Sequence, residues 1–146
     1  MKTYHFTKEG FDKLLKEKES LLTDRPHVVA DLKRARELGD LSENGFYKST
    51  KMRLNQIDHR LFRLSVLMKY GKIIEKSGTD TIQLGSTVTL SDGKKEVTYQ
   101  IVGSEEANPR EGRISNISPL GRALIGKSAG EKAVMNTSSY VVKKIT

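Results

Sequence analysis

Cysteine is absent from the 146 residues, which excludes disulfides and thiolate metal sites. No apolar run approaches the roughly 20 residues that a bilayer-spanning helix needs. The opening Met1-Lys2-Thr3-Tyr4-His5-Phe6 lacks the apolar stretch of a signal peptide. A cytoplasmic protein with no membrane association is therefore expected. The chain also has no Ser–His–Asp signature, no phosphate-binding P-loop and no G-x-G-x-x-G run. His5, His27 and His59 are scattered without metal-ligand spacing. No self-contained active site is legible, and the chain is not expected to be an enzyme on its own.

What the chain does have is charge. Hydrophobic residues make up 36% and charged residues 30%, so the chain is polar for its size and suits a modest core. The net charge of +8 favours an anionic partner, such as nucleic acid or an acidic protein surface. The excess is uneven. Residues 1–76 hold 17 Lys/Arg against 11 Asp/Glu, whereas residues 77–146 hold 9 against 7. Two regions with different tasks are expected, divided after residue 76.

The first region reads as helix. From residue 7 to 38, Phe11, Leu14, Leu15, Leu21, Leu22, Val28, Val29, Leu32, Ala35 and Leu38 fall at helical spacing. Thr7 is positioned as N-cap and Gly39 just past the C-terminal end. Pro26 lies inside this run and predicts a kink or a split near Asp24-Arg25. In the second segment, Tyr47, Thr50, Leu54, Ile57, Leu61, Leu64 and Met68 alternate steps of three and four, the seam of a coiled coil. Ser42 is the expected cap of this helix, and Tyr70-Gly71 its stop. Two such helices with a short connection predict an antiparallel hairpin. An arm of roughly 28–30 residues spans about 45 Å.

The second region reads as strand. Residues 77–80 form a Gly/Ser/Thr-rich linker, and Ser86-Thr87-Val88-Thr89-Leu90 alternates with period two. Asp92-Gly93 signals a hairpin with a return strand over residues 96–102. Residues 105–112 read as loop and 113–118 as a strand. Pro119 opens a short helix that closes on Gly126, and two more strands are expected over 132–136 and 139–145. The fold class is α+β: an N-terminal two-helix finger over residues 1–76, and a small twisted sheet with a short helix over 77–146.

Between the two helices lies Gly39-Asp40-Leu41-Ser42-Glu43-Asn44. Two readings of Asp40 and Glu43 are open from spacing alone. They can cap a helix and offset its dipole. They can also donate oxygens to a hard cation such as Mg²⁺, which wants about six ligands, so that another molecule must complete the shell. Lys33, Arg34, Arg36, Lys48, Lys51, Arg53, Arg60 and Arg63 flank this segment and suit a phosphate backbone, although Asp31, Glu37 and Asp58 are interspersed.

The run Gly39-Asp40-Leu41-Ser42-Glu43-Asn44-Gly45-Phe46-Tyr47, after Ala35-Arg36-Glu37, closely resembles the tip motif of the bacterial GreA/GreB transcript cleavage factors. A second block, Ile117-Ser118-Pro119-Leu120-Gly121-Arg122-Ala123-Leu124-Ile125-Gly126-Lys127, resembles that family's C-terminal signature. Phe6-Thr7-Lys8-Glu9-Gly10 and Arg25-Pro26 fit its other patterns, so the similarity runs the length of the chain, closer to GreA. The resemblance implies a coiled-coil finger and an FKBP-like domain. It implies a monomer whose C-terminal domain docks on bacterial RNA polymerase, through Ser118, Pro119, Leu120, Gly121 and Arg122, while the finger enters the secondary channel. There Asp40 and Glu43 are implied to help hold Mg²⁺ at the polymerase's own active centre, bound only in that complex. The polymerase then hydrolyses the 3′ end of backtracked RNA and arrested elongation resumes. Tyr47 matches the tip aromatic. Lys33, Arg34, Arg36, Lys48, Lys51 and Arg53 lie where a basic patch guides the extruded RNA.

The chain also departs from the family pattern. Gly45-Phe46 stands where members commonly carry Ala-Glu, and Gly45 weakens a helical first turn by up to roughly 1 kcal/mol relative to Ala. This motivates an alternative expectation, a non-cleaving regulator or inhibitor in the same channel. A prolyl isomerase follows only from the implied fold, which does not carry function. Nine aromatic residues are few for a proline pocket.

Overall fold

The computed structural model describes residues 2–39 and 44–146. These form an α+β protein with two compact units, one of residues 12–70 and the other of residues 1–11 with 71–146. The sequence-based division after residue 76 keeps 1–76 together. The contact division instead moves residues 1–11 and 71–76 to the sheet-bearing unit.

A short strand makes the difference. β1 (Tyr4–Phe6) pairs in parallel with β2 (Gly71–Ile73), in register Tyr4 with Gly71 and Phe6 with Ile73. Neither strand is evident from a local pattern, because each is three residues long and its partner lies across the whole helical segment.

α1 (Lys8–Arg36) and α2 (Gly45–Tyr70) are the two expected helices. Thr7 caps α1 as expected, its hydroxyl accepting the Gly10 N–H at 3.1 Å. The capping threonine is itself gripped. Its N–H donates to Glu106 Oε2 at 2.8 Å and its hydroxyl to Glu106 Oε1 at 2.5 Å. Of the kink or split expected at Pro26, the split does not occur: α1 is continuous across it. Pro26 and Leu22, the residue whose carbonyl loses its donor to the proline, are both exposed.

The seam buries Leu14, Val28, Leu32 and Ala35 from α1 and Thr50, Ile57 and Leu64 from α2. Leu54, Leu61 and Met68, also expected there, are only half-buried. Two ion pairs also cross between the antiparallel helices. Arg60 holds Glu17 through two hydrogen bonds of 2.8 Å, and Arg25 holds Asp58 at 2.7 and 3.2 Å. The hydrogen bonds from Arg25 keep the Asp58 carboxyl below the ordinary aspartate range. A lowered folded value makes this pair's contribution fully present above the ordinary Asp pKa. It is lost as pH falls through the lowered value. Because the pair is half-exposed, its effect is small and salt-sensitive. Thermal midpoints of wild type and Asp58→Asn should differ slightly near neutral pH and converge in acid. A gap that widens in acid would rule out the ion pair as its source.

The other unit is a curled five-stranded sheet in the order β5-β4-β3-β7-β6. Its strands are β3 (Thr87–Ser91), β4 (Glu96–Val102), β5 (Arg113–Ser115), β6 (Lys132–Met135) and β7 (Ser138–Ile145). All neighbours are antiparallel except β4 and β5. The Asp92-Gly93 turn forms as expected. Gly93 takes φ +95°, and the Asp92 carboxylate accepts the Lys94 and Lys95 N–H groups. The alternating residues Val88 and Leu90, with Ile101 and Val142, enter a core closed by Leu124 of the short helix α3 (Pro119–Leu124). Each such side chain contributes roughly 1.5–3 kcal/mol by leaving water. The expected loop over 105–112 contains two single 3₁₀ turns, Ser104–Glu106 and Pro109–Glu111.

Candidate functional site

The candidate site lies where α1 runs out and α2 begins. Lys33, Arg34 and Arg36 occupy the last turn of α1, where the helix dipole favours cations. Beyond it the chain tightens. The Glu37 N–H donates to the Arg34 carbonyl at 3.1 Å and the Leu38 N–H to the Ala35 carbonyl at 3.2 Å. Gly39 then takes φ +106°, a conformation that a side chain disfavours.

On the other side, α2 starts at Gly45 and is capped by Asn44, whereas Ser42, the expected cap, lies outside the described residues. Asn44 Oδ1 accepts the Tyr47 N–H at 3.0 Å, and the Asn44 carbonyl accepts the Lys48 N–H at 3.1 Å. Both residue types cap well, so the sequence alone does not choose between them. Asn44 has a further capability that serine lacks. Its Nδ2 donates to the Ala35 carbonyl at 2.9 Å, across the hairpin.

Asp40, Ser42 and Glu43 lie outside the described residues. Among the described residues, no group of three or more His, Cys, Asp or Glu side chains is arranged to hold a metal ion. Oxygen donors suit Mg²⁺, but two carboxylates fall well short of its shell, so the donor set fits a shared site.

The structure brings some of the other expected residues together. Tyr47 is half-buried, with Lys51 Nζ 6.0 Å from its ring centroid, at the outer limit of a cation–π contact. Lys33, Arg36, Lys48, Lys51 and Arg53 are exposed, and Arg34, also exposed, pairs with Asp31. Arg53 lines a shallow groove of about 310 Å³ with Leu21, Asp24, Gln56, Ile57 and Arg60. Arg60 is engaged by Glu17, which draws it into the hairpin.

The second block, 117–127, divides by burial. Ser118 caps α3: its hydroxyl accepts the Gly121 N–H at 3.1 Å and donates to the Ser115 carbonyl at 2.6 Å. Gly121 is buried, and a Cβ there would come within 3.0 Å of the Ser115 carbonyl oxygen. Leu120 packs against the core. Of the five residues expected at a docking surface, Pro119 and Arg122 are the exposed ones. Arg122 and Ile125 line a groove of about 400 Å³ with Gln83, Leu84 and Asn116.

Two family models cover the helical hairpin and the curled sheet in turn. Residues 4–73 match the family "Transcription elongation factor, N-terminal", and residues 76–146 match "Transcription elongation factor, GreA/GreB, C-term". The chain belongs to the GreA/GreB family of transcription elongation factors. Within it, the chain is similar to proteins described as transcription elongation factor GreA. That of Bacillus cytotoxicus is 46% identical over 142 residues, covering 93% of this chain and 89% of the relative. That of Chloroflexus aggregans is 40% identical, covering 97% and 94%. Among solved structures, the transcription factor Gfh1 superposes with a TM-score of 0.50 at 25% identity, covering 99% of this chain and 97% of that one.

Proposed function

We propose that this elongation factor binds bacterial RNA polymerase through its secondary channel and stimulates the polymerase to cleave backtracked RNA. The observation that carries the reading is the acidic pair Asp40 and Glu43, set between the closing turn of α1 and the capped start of α2 in a GreA/GreB chain. Asp40 and Glu43 are the chain's ligands for Mg²⁺, and carboxylates of the polymerase complete the shell. Bound there, the ion supplies charge stabilisation and an activated water for phosphodiester hydrolysis. The chain's own cations have a separate task. Lys33, Arg34, Arg36, Lys48, Lys51 and Arg53 attract and align the extruded 3′ RNA, with Tyr47 as a stacking face beside Lys51. Pro119 and Arg122 meet the polymerase surface, while Ser118, Leu120 and Gly121 hold α3 in shape beneath them. The protein acts as a cytoplasmic monomer and is not an enzyme by itself.

The second reading, a non-cleaving regulator in the same channel, is favoured by Gly45-Phe46. Phe46 is an exposed apolar side chain beside the acidic segment. One experiment separates the two. A backtracked elongation complex with labelled RNA is incubated with the protein and Mg²⁺. Shortening of the RNA from its 3′ end, followed by resumed extension, is the expected result. Binding with inhibited synthesis and no shortening at any Mg²⁺ concentration supports the regulator. Absence of binding overturns both.

A further inference from the structure

We propose that Glu106 is a positioning residue for α1: its carboxylate seats the first turn of the helix on the sheet-bearing unit, and the cations in the last turn of α1 work from that seat. The part that concerns RNA rests on the cleavage reading given above. α1 is one continuous helix, yet residues 8–11 cluster with the sheet-bearing unit and residues 12–36 with the hairpin. Whatever holds residues 7–11 therefore holds the base of the whole helix. Thr7 and Glu106 both belong to the sheet-bearing unit.

The seat is assembled from parts that arrive separately in the sequence. The Thr7 hydroxyl accepts the Gly10 N–H at 3.1 Å, which is an ordinary cap and needs no further residue. Glu106 adds two bonds, accepting the Thr7 N–H at 2.8 Å and the Thr7 hydroxyl proton at 2.5 Å. The carboxylate also places negative charge at a helix start, where the dipole favours it. Two glycines make room for it. A Cβ on Gly10 would come within 3.0 Å of the Glu106 carboxylate. Gly103, which precedes the Ser104–Glu106 turn, lets that turn approach the His5 backbone. Beside the seat, Phe6 and Phe11 pack edge to face at 5.9 Å between centroids. The functional consequence is one of leverage. At about 1.5 Å per residue, the 29 residues of α1 span roughly 43 Å, so a tilt of about 5° at the first turn moves the last by roughly 4 Å. Lys33, Arg34 and Arg36 occupy that last turn. A misplacement of about 1 Å caused far from the chemistry can already cost on the order of 10²-fold in rate.

Glu106→Gln isolates the seat. The amide has nearly the same size, so the room left by Gly10 is unchanged, but its nitrogen cannot accept, and only one of the two bonds from Thr7 survives. Asp80→Asn, at an exposed position, makes the same change of charge and serves as control. The full chain is used throughout. Amide hydrogen exchange, which does not depend on the function, comes first. Glu106→Gln should speed exchange at Gly10 and Phe11 by about 10-fold or more, while Ile57, Leu64, Val88 and Ile101 keep wild-type protection. RNA cleavage with backtracked complexes comes second. Glu106→Gln should half-saturate polymerase at the wild-type concentration, yet cleave about 10-fold or more slowly at saturation. Asp80→Asn should match wild type in both. Unchanged exchange at Gly10 and Phe11 overturns the seat. Faster exchange throughout both units makes Glu106 a general stabiliser and overturns the positioning role, as does a loosened first turn with a wild-type saturated rate. If wild type itself does not cleave, the function reading fails, while the exchange rates still decide the seat.

Discussion

Gly103→Ala should destabilise the sheet-bearing unit by about 3 kcal/mol or more, a large share of a typical domain's 5–15 kcal/mol. Gly103 is buried, and a Cβ on it would fall within 3.0 Å of both the carbonyl oxygen and carbonyl carbon of His5. The obstruction is backbone, not the end of a flexible side chain, so no rotamer change relieves it. His5 cannot retreat freely, because β1 is paired with β2 at His5–Lys72. Overpacking of this kind typically costs 1–3 kcal/mol. A second cost follows, because Gly103 starts the turn that carries Glu106, and its carbonyl accepts the Glu106 N–H at 3.0 Å. Shifting that turn withdraws the carboxylate from the Thr7 N–H and hydroxyl, two bonds to a charged group worth roughly 1.5–3 kcal/mol each before compensation by water. Gly45→Ala is the control of opposite sign. Among the described residues, apart from its chain neighbours and its own helix backbone, no atom lies within 4 Å of its added methyl, and Gly45 begins a helix. That substitution should be neutral or stabilise by up to about 1 kcal/mol. Urea titrations followed by circular dichroism measure both. A Gly103→Ala midpoint equal to wild type would sink the close-packing argument.

The contrast between these two glycines marks what the sequence could and could not disclose. Features written in local chemistry were legible. The seam at Thr50, Ile57 and Leu64 follows from spacing alone, and the Asp92-Gly93 turn and the Pro119 helix start follow from residue type. Gly103 and Gly10 carry no such local sign. Their need for glycine comes from His5 and Glu106, which arrive from distant parts of the chain. The same holds for Glu106 and Thr7, 99 residues apart. β1 and β2 stayed hidden because a three-residue strand has too short a pattern to stand out, and their pairing is non-local. At Pro26 a local rule allowed a kink or a split, and α1 runs through it without a split. At the candidate site, the cap of α2 was not legible, because Ser and Asn satisfy the same capping rule, and Asn44 is the residue whose side chain accepts the Tyr47 N–H.

Asp40→Ala and Glu43→Ala should each lower the rate of RNA cleavage by at least on the order of 10²-fold, about 2.7 kcal/mol of transition-state stabilisation. On the proposed reading, an ion that wants about six oxygens takes two from this chain, and removing one carboxylate removes half of that contribution. Helix capping alone, the other reading of these residues, predicts a different pattern: a stability change of about 1 kcal/mol and little change in rate. The double variant supplies a further test. Groups that act as one unit are strongly non-additive, so removing both should cost little more than removing either. Docking should survive, because Pro119 and Arg122 lie in the other compact unit. Each variant, added in excess, should therefore compete with wild type and suppress its cleavage. Raised Mg²⁺ should restore part of the rate in the single variants and less in the double. If both single variants cleave at the wild-type rate, the carboxylates are caps and the metal-donor role is wrong. If they are inactive and also fail to compete, the acidic segment contributes to binding instead. Competition without cleavage, partly relieved by raised Mg²⁺, is the outcome expected of a pair of shared metal ligands.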